Sequence, residues 1–165
     1  MSNILIALGG NIGDVRNSFD SACEMLGNTC NITAKSKLYT TPALVDDGAK
    51  AQPDYLNAVI HVVSTLTPSD LLAELHRIEA ANGRERKEHW GSRTLDLDLL
   101  DYEGFTSTNP ALMLPHPELH QRLFVLLPLS DVIPNWVHPT RNQSVSQMIE
   151  TLKQQGETWF EGEIW

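Results

Sequence analysis

From residue 94 to residue 99 the chain alternates without a break: Thr94-Leu95-Asp96-Leu97-Asp98-Leu99. Residues two apart on a β-strand share a face, so the run predicts a strand over residues 94–102 with leucines on one side and carboxylates on the other. The leucines need an apolar layer to pack against, which puts the strand in a sheet covered on at least one face. Asp96 and Asp98 then stand about 6–7 Å apart by the rise per residue, and repel unless a cation lies between or beside them. Two readings are open. The pair is the solvated face of an edge strand, or it is a partial magnesium site, because Mg²⁺ takes few carboxylates and completes its shell with water and phosphate oxygens.

The remaining elements are legible by periodicity. Residues 3–8 form a short apolar strand ending in the turn Gly9-Gly10-Asn11-Ile12-Gly13-Asp14. Asp14 caps a helix whose apolar positions Phe19, Ala22, Cys23 and Leu26 fall at helical spacing, with Gly27 as its stop. A strand over residues 31–39 precedes a loop over residues 40–54, and residues 55–65 form a β-branched strand. Thr67-Pro68-Ser69-Asp70 opens a second helix that turns Leu71, Leu72, Leu75 and Ile78 inward and stops near Gly83. Prolines 110, 115 and 117 break the next stretch into loop. Residues 123–129 are apolar without an assignable period, and a last helix carries Val145, Met148, Ile149 and Leu152. The order strand–helix–strand–strand–helix–strand predicts an α+β fold, a ferredoxin-like βαββαβ sandwich with additional C-terminal elements. One domain spanning residues 1–165 is expected.

With 41% hydrophobic and 20% charged residues the chain is of ordinary globular composition. No apolar run approaches the roughly 18 residues that cross a bilayer, and the opening residues lack the basic and apolar regions of a secretory signal. A cytoplasmic protein is expected, with Cys23 and Cys30 as free thiols. A net charge of −9 opposes general affinity for nucleic acid or anionic membranes. Against that background Arg84, Arg86, Lys87 and Arg93 gather four of the twelve lysines and arginines within ten positions, around Trp90. A solvated loop accounts for such a run. Cations beside a magnesium pair also meet the needs of a polyphosphate, whose charge requires both metal and guanidinium neutralisation.

Arg84-Glu85-Arg86-Lys87 and Trp90-Gly91-Ser92-Arg93-Thr94-Leu95-Asp96-Leu97-Asp98 closely resemble the signature of the 6-hydroxymethyl-7,8-dihydropterin pyrophosphokinases of folate biosynthesis. Further matches follow in the family's order: Leu8-Gly9-Gly10-Asn11, Tyr39-Thr40-Thr41-Pro42, Gln52-Pro53-Asp54-Tyr55-Leu56-Asn57-Ala58, Ile78-Glu79, Pro115-His116 and Arg122-Leu123-Phe124. The resemblance implies a ferredoxin-like fold, ATP, two Mg²⁺ ions and release of AMP as the pterin alcohol is pyrophosphorylated. It implies that Asp96 and Asp98 ligate the metals and that Arg84 and Arg93 steady the polyphosphate. Arg86, Lys87, His116 and Arg122 would hold ATP, with Leu72 and Glu79 lining its site and Trp90 closing over it. Tyr55 and Phe124 would sandwich the pterin, whose polar edge Asn57 and the backbone at Thr41, Pro42 and Leu44 would read. A lid over residues 83–93, a monomer, and no nucleic-acid or membrane partner complete the expectation.

Single residues have plainer readings: Tyr55, Phe124 and Leu72 as core, His116 as a structural loop residue, Glu79 as an exposed helix carboxylate. Their joint order in the chain favours the functional ones. Gly10, His76, Ser92, Met113 and Pro117 depart from the family's usual residues, which leaves room for a catalytically silent ATP- and pterin-binding paralogue. A nucleic-acid module on the same fold needs a basic sheet, which the charge and the acidic pair oppose.

Overall fold

The strand expected over residues 94–102 is β5 (Asp96–Tyr102), and it lies at the edge of the main sheet. The computed structural model describes residues 2–42, 53–83, 94–158 and 161–165. Ahead of β5 come β1 (Ser2–Gly10), α1 (Val15–Leu26), β2 (Asn31–Lys35), β3 (Leu38–Thr41), β4 (Tyr55–Ser64) and α2 (Pro68–Ala81). After it come a hairpin of β6 (Ser107–Asn109) and β7 (Leu112–Leu114), a 3₁₀ turn at Leu119–Gln121, α3 (Leu123–Val132), α4 (Val145–Gln154) and β8 (Gly162–Glu163). The sheet order is β5-β1-β4-β3-β8, with β2 also paired to β4 and all pairings antiparallel. That is the ferredoxin-like arrangement with C-terminal additions.

The helices start where their caps predict. Asp14 accepts from the Asn17 N–H, Thr67 from the Asp70 N–H ahead of a first-turn proline, and Ser144 forms a reciprocal capping box with Gln147. Two expectations change. The strand over residues 31–39 is two strands, because Ser36 turns inward between them: its hydroxyl accepts from the Val59 N–H at 2.9 Å and donates to the Lys37 carbonyl at 2.6 Å. The unassigned stretch at 123–129 is α3, which has buried residues on nearly every side and Pro128 in its interior, so no polar stripe marks its period.

The sheet separates two apolar layers. Ile4, Ile6, Leu8, Ile60, Leu97 and Leu99 meet α1 and α2 on one face. Leu5, Val59 and Leu100 meet α3 and α4 on the other. Asp131 ties α3 to the sheet by accepting from the Tyr39 hydroxyl at 2.7 Å and the Lys37 N–H at 3.1 Å. A register shift between β1 and β5 at Leu5/Ile6 turns both Leu100 and Asp101 toward the second layer. There Asp101 accepts from Trp136 Nε1 at 3.2 Å and from the Gly104 N–H at 3.3 Å, while its Oδ1 is buried without a hydrogen bond. Burial pushes this carboxyl above its usual range.

The other edge is closed by β8 on β3. A Cβ on Gly162 would lie 2.7 Å from Lys37 Cβ and 2.9 Å from the Tyr39 ring, so only glycine fits there. Trp165 packs tilted against Phe19, 5.8 Å between ring centres, donates to Asp20 at 2.8 Å and lies under the Lys35 ammonium at 4.8 Å. Cys23 and Cys30 are free, as expected. No helix among the described residues is long and apolar enough to cross a membrane.

Candidate active site

Toward the end of β1 the apolar cover of the second face gives way to polar side chains, and four strands align them in one row. Asp96 of β5 pairs with Gly9 of β1, Gly9 with Asn57 of β4, and Asn57 with Tyr39 of β3. Two residues along, Asp98 pairs with Ala7 and Ala7 with Val59. Thr41 pairs with Tyr55. Directly paired residues point to the same side, so Asp96, Asp98, Asn57, Thr41 and Tyr55 share one surface. Asp96 and Asn57 stand two strand spacings apart, about 10 Å. Between them Gly9 contributes no side chain, and the floor of the row is open.

Asn57 is buried, and both its amide hydrogens are used. It donates to the Tyr39 carbonyl at 3.2 Å and to the Thr41 hydroxyl at 3.0 Å. Its Oδ1 faces Gly9, 3.7 Å from where a Cβ would stand. The strand opposite is held in place from outside. β5 is an edge strand, and its outward backbone groups need partners. The Glu79 carboxylate, buried at 3% exposure, accepts from the Leu97 N–H at 2.9 Å, midway between the two aspartates. The His116 N–H donates to the Leu100 carbonyl at 2.8 Å.

His116 also links Asp96 to Arg122. Burial first, then the Arg122 cation, hold its imidazole below the ordinary range, while Glu118 and Asp96 pull the other way. Arg122 forms an ion pair with Glu118 and stands 5.7 Å over the Phe124 ring, which α3 packs against the second layer. The structure thus gathers Asp96, His116, Arg122 and Phe124 on one side and Thr41, Tyr55 and Asn57 on the other. Leu72 is half-buried on α2, and Pro42 is exposed after β3. Leu44, Arg84, Arg86, Lys87, Trp90 and Arg93 lie outside the described residues, as does most of the expected lid. Glu118, not singled out in the sequence, precedes Arg122 by four positions, a spacing that signals an ion pair only where the backbone is helical.

Among the described residues no group of three or more histidines, cysteines and acids is placed to hold a metal. Two carboxylates on one strand face fit Mg²⁺, which draws its remaining ligands from water and substrate oxygens.

Residues 5–134 match the model of the family described as 7,8-dihydro-6-hydroxymethylpterin-pyrophosphokinase. The chain belongs to that family. The 2-amino-4-hydroxy-6-hydroxymethyldihydropteridine pyrophosphokinase of Synechocystis sp. is 38% identical over 150 residues, covering 90% of this chain and 75% of that one. The enzyme of the same name from Haemophilus influenzae is 36% identical over 152 residues, 91% of this chain and 92% of its own. Among solved structures, wild-type Plasmodium falciparum HPPK-DHPS with SDX-DHP superposes with a TM-score of 0.73 at 16% identity, and a further wild-type structure gives 0.74 at 14%. These cover 94% and 93% of this chain but 44% and 45% of those longer chains, and they establish the fold. Membership makes the chain an enzyme of the pyrophosphokinase class.

The duty of Glu79 is testable by stability. Glu79→Ala leaves the buried Leu97 N–H without its acceptor and should lower unfolding free energy by about 1–3 kcal/mol in urea melts. Glu79→Gln keeps an acceptor oxygen and should recover most of that loss. Equal losses in both variants would remove the bond to β5 as the cause.

Proposed function

We propose that the chain transfers a pyrophosphoryl group from ATP to 6-hydroxymethyl-7,8-dihydropterin, in folate biosynthesis, using Mg²⁺ bound at Asp96 and Asp98. The observation that carries this reading is the shared row of Asp96, Gly9 and Asn57, an acid pair facing a hydrogen-bonding amide across an open floor. Mg²⁺, two ions by the family's pattern, would neutralise the polyphosphate and hold it on the strand face.

The pterin hydroxymethyl oxygen attacks the β-phosphorus of ATP. A new O–P bond forms, the bond from the β-phosphorus to the α,β-bridging oxygen breaks, and AMP leaves; the hydroxyl proton passes to solvent. Such transfers need positioning and charge stabilisation more than a dedicated base. Asn57 Oδ1 offers the pterin an acceptor, and the backbone at Thr41, Pro42 and Leu44 completes its polar edge. Tyr55 and Phe124 supply aromatic faces for the ring. Arg122, held by Glu118 and Phe124, and neutral His116 contact ATP, together with Arg86 and Lys87. Arg84 and Arg93 stabilise charge as the bridging bond breaks. Leu72 lines the nucleotide, Trp90 closes over it, and Glu79 positions β5.

Incubation with ATP, Mg²⁺ and the pterin should give AMP and pterin diphosphate in equal amounts, neither forming without pterin or with the metal chelated. ADP would mean simple kinase chemistry, and ATP binding without product would mean a silent paralogue. Asn57→Ala should raise the pterin KM about tenfold, the value of one good hydrogen bond, with kcat little changed. A normal pterin KM would remove Asn57 from the pterin site.

A further inference from the structure

His116 faces more than the acidic pair. It also lines an open cavity of about 440 Å³ between the β6–β7 hairpin and the turn that links α3 to α4, within the ~300–1,000 Å³ typical of small-molecule pockets. The polar wall of this cavity is formed by Arg141, His120, His138 and the hydroxyls of Ser107, Thr108 and Thr140. None of the described residues lining it is acidic, in a chain with a net charge of −9.

His138 is the buried element of this wall, at 3% exposure. Its Nδ1 accepts from the N–H groups of Thr140 at 3.3 Å and Arg141 at 3.1 Å, with the Thr140 hydroxyl also at 3.3 Å. A ring so engaged at Nδ1 carries its proton on Nε2. That N–H has no hydrogen-bond partner among the described residues and is reached by solvent from the cavity. Arg141 is steadied through Nε by Gln143 at 3.3 Å, which leaves the rest of its guanidinium available. His120 stands edge-on to His138, 6.1 Å between ring centres. Burial first, and the Arg141 cation last, hold both imidazoles below the ordinary range.

We propose that this cavity is a second ligand site, taking a small organic phosphate whose phosphate group is held by Arg141 and His138 Nε2–H. The wall consists of donors, and a phosphate monoester offers three terminal oxygens to them where a carboxylate offers two. The volume leaves room for an organic body, which would lie against the apolar stem of Met113. Arg141, His120 and His138 have no part in the proposed pyrophosphoryl transfer, whereas His116 borders both sites.

The test uses the full chain with ¹⁵N-labelled histidine. Imidazole resonances are followed as inorganic phosphate, glycerol 3-phosphate and acetate are added at constant pH and ionic strength. Glycerol 3-phosphate should shift His138 and His120 saturably, and bind at least about fivefold more tightly than the other two anions. Arg141→Ala, an exposed position, should weaken that binding about tenfold or more, with amide spectrum and ATP KM unchanged. No saturable shift, equal binding of the three anions, or shifts that persist in Arg141→Ala would overturn the proposal. So would a rise of more than about threefold in ATP KM, because the cavity would then belong to the nucleotide site. The product assay for pyrophosphoryl transfer is a separate measurement and fails or succeeds independently.

Discussion

Asp96→Ala and Asp98→Ala should each lower turnover on the order of a thousandfold or more while leaving the protein folded. Both side chains are half-buried on the polar end of the second face, outside the apolar layers, and neither contributes its backbone pairing through its carboxylate. Removing one acid relieves a like-charge neighbour two residues away. In the proposed site catalysis has much to lose, since a magnesium-bound polyphosphate would then rest on a single protein ligand. Asp96→Asn and Asp98→Asn keep the shape and lose the charge; they should be nearly as slow as the alanine variants. Turnover close to wild type in both alanine variants would refute the metal assignment, and slow alanine variants with active asparagine variants would mean that shape, not charge, matters.

Acid should unfold the protein partly through His138. Burial first, and then His120 and Arg141, hold its folded pKa at about 4 against an ordinary 6.5. Between those values the unfolded chain takes up a proton that the folded ring refuses. Stability therefore rises with pH across that window and is lost as pH falls from 6.5 toward 4. The loss is about 2 kcal/mol, the full pKa difference discounted for water reaching the ring through the cavity. His116, His120 and His61 are also shifted downward and act with the same sign. Asp101, reached across Trp136, is shifted upward and acts oppositely on acidification. In urea melts at pH 7 and pH 5, His138→Gln should show a smaller drop than wild type. An identical drop would exclude His138 as a source of the acid sensitivity.

The acidic strand, the two capped helices of the first half and the order of elements could be read from residues alone. Each depends on local periodicity or on a cap within four residues. The site was legible as residue types but not as a surface. That Asp96 and Asn57 flank Gly9 follows from strand register between segments more than 35 residues apart, which no local pattern encodes. Glu79 taken alone reads as an exposed helix carboxylate, and by resemblance as a residue lining ATP; it is buried against β5, where the sheet edge needed an acceptor. The split at Ser36 was hidden for a similar reason, since a serine interrupts a strand only if its hydroxyl finds a backbone partner across the sheet. α3 gave no period because both the sheet and α4 bury it, and the register shift at Leu100 is invisible in an otherwise regular strand.

The docking of β8 and Trp165 bears on how the protein behaves at high concentration. An unpaired strand edge is a template on which a second molecule can polymerise. Here Leu38 and Tyr39 of β3 pair with the chain's own residues Glu163 and Gly162, and the indole of Trp165 holds the adjoining segment to α1. On the opposite border, the Glu79 carboxylate and the His116 amide do the same for β5. Two plugs of different construction therefore cap the two borders of one sheet, and colloidal stability at those borders rests on a glycine that no other residue can replace and on a carboxylate that also steadies the acidic strand.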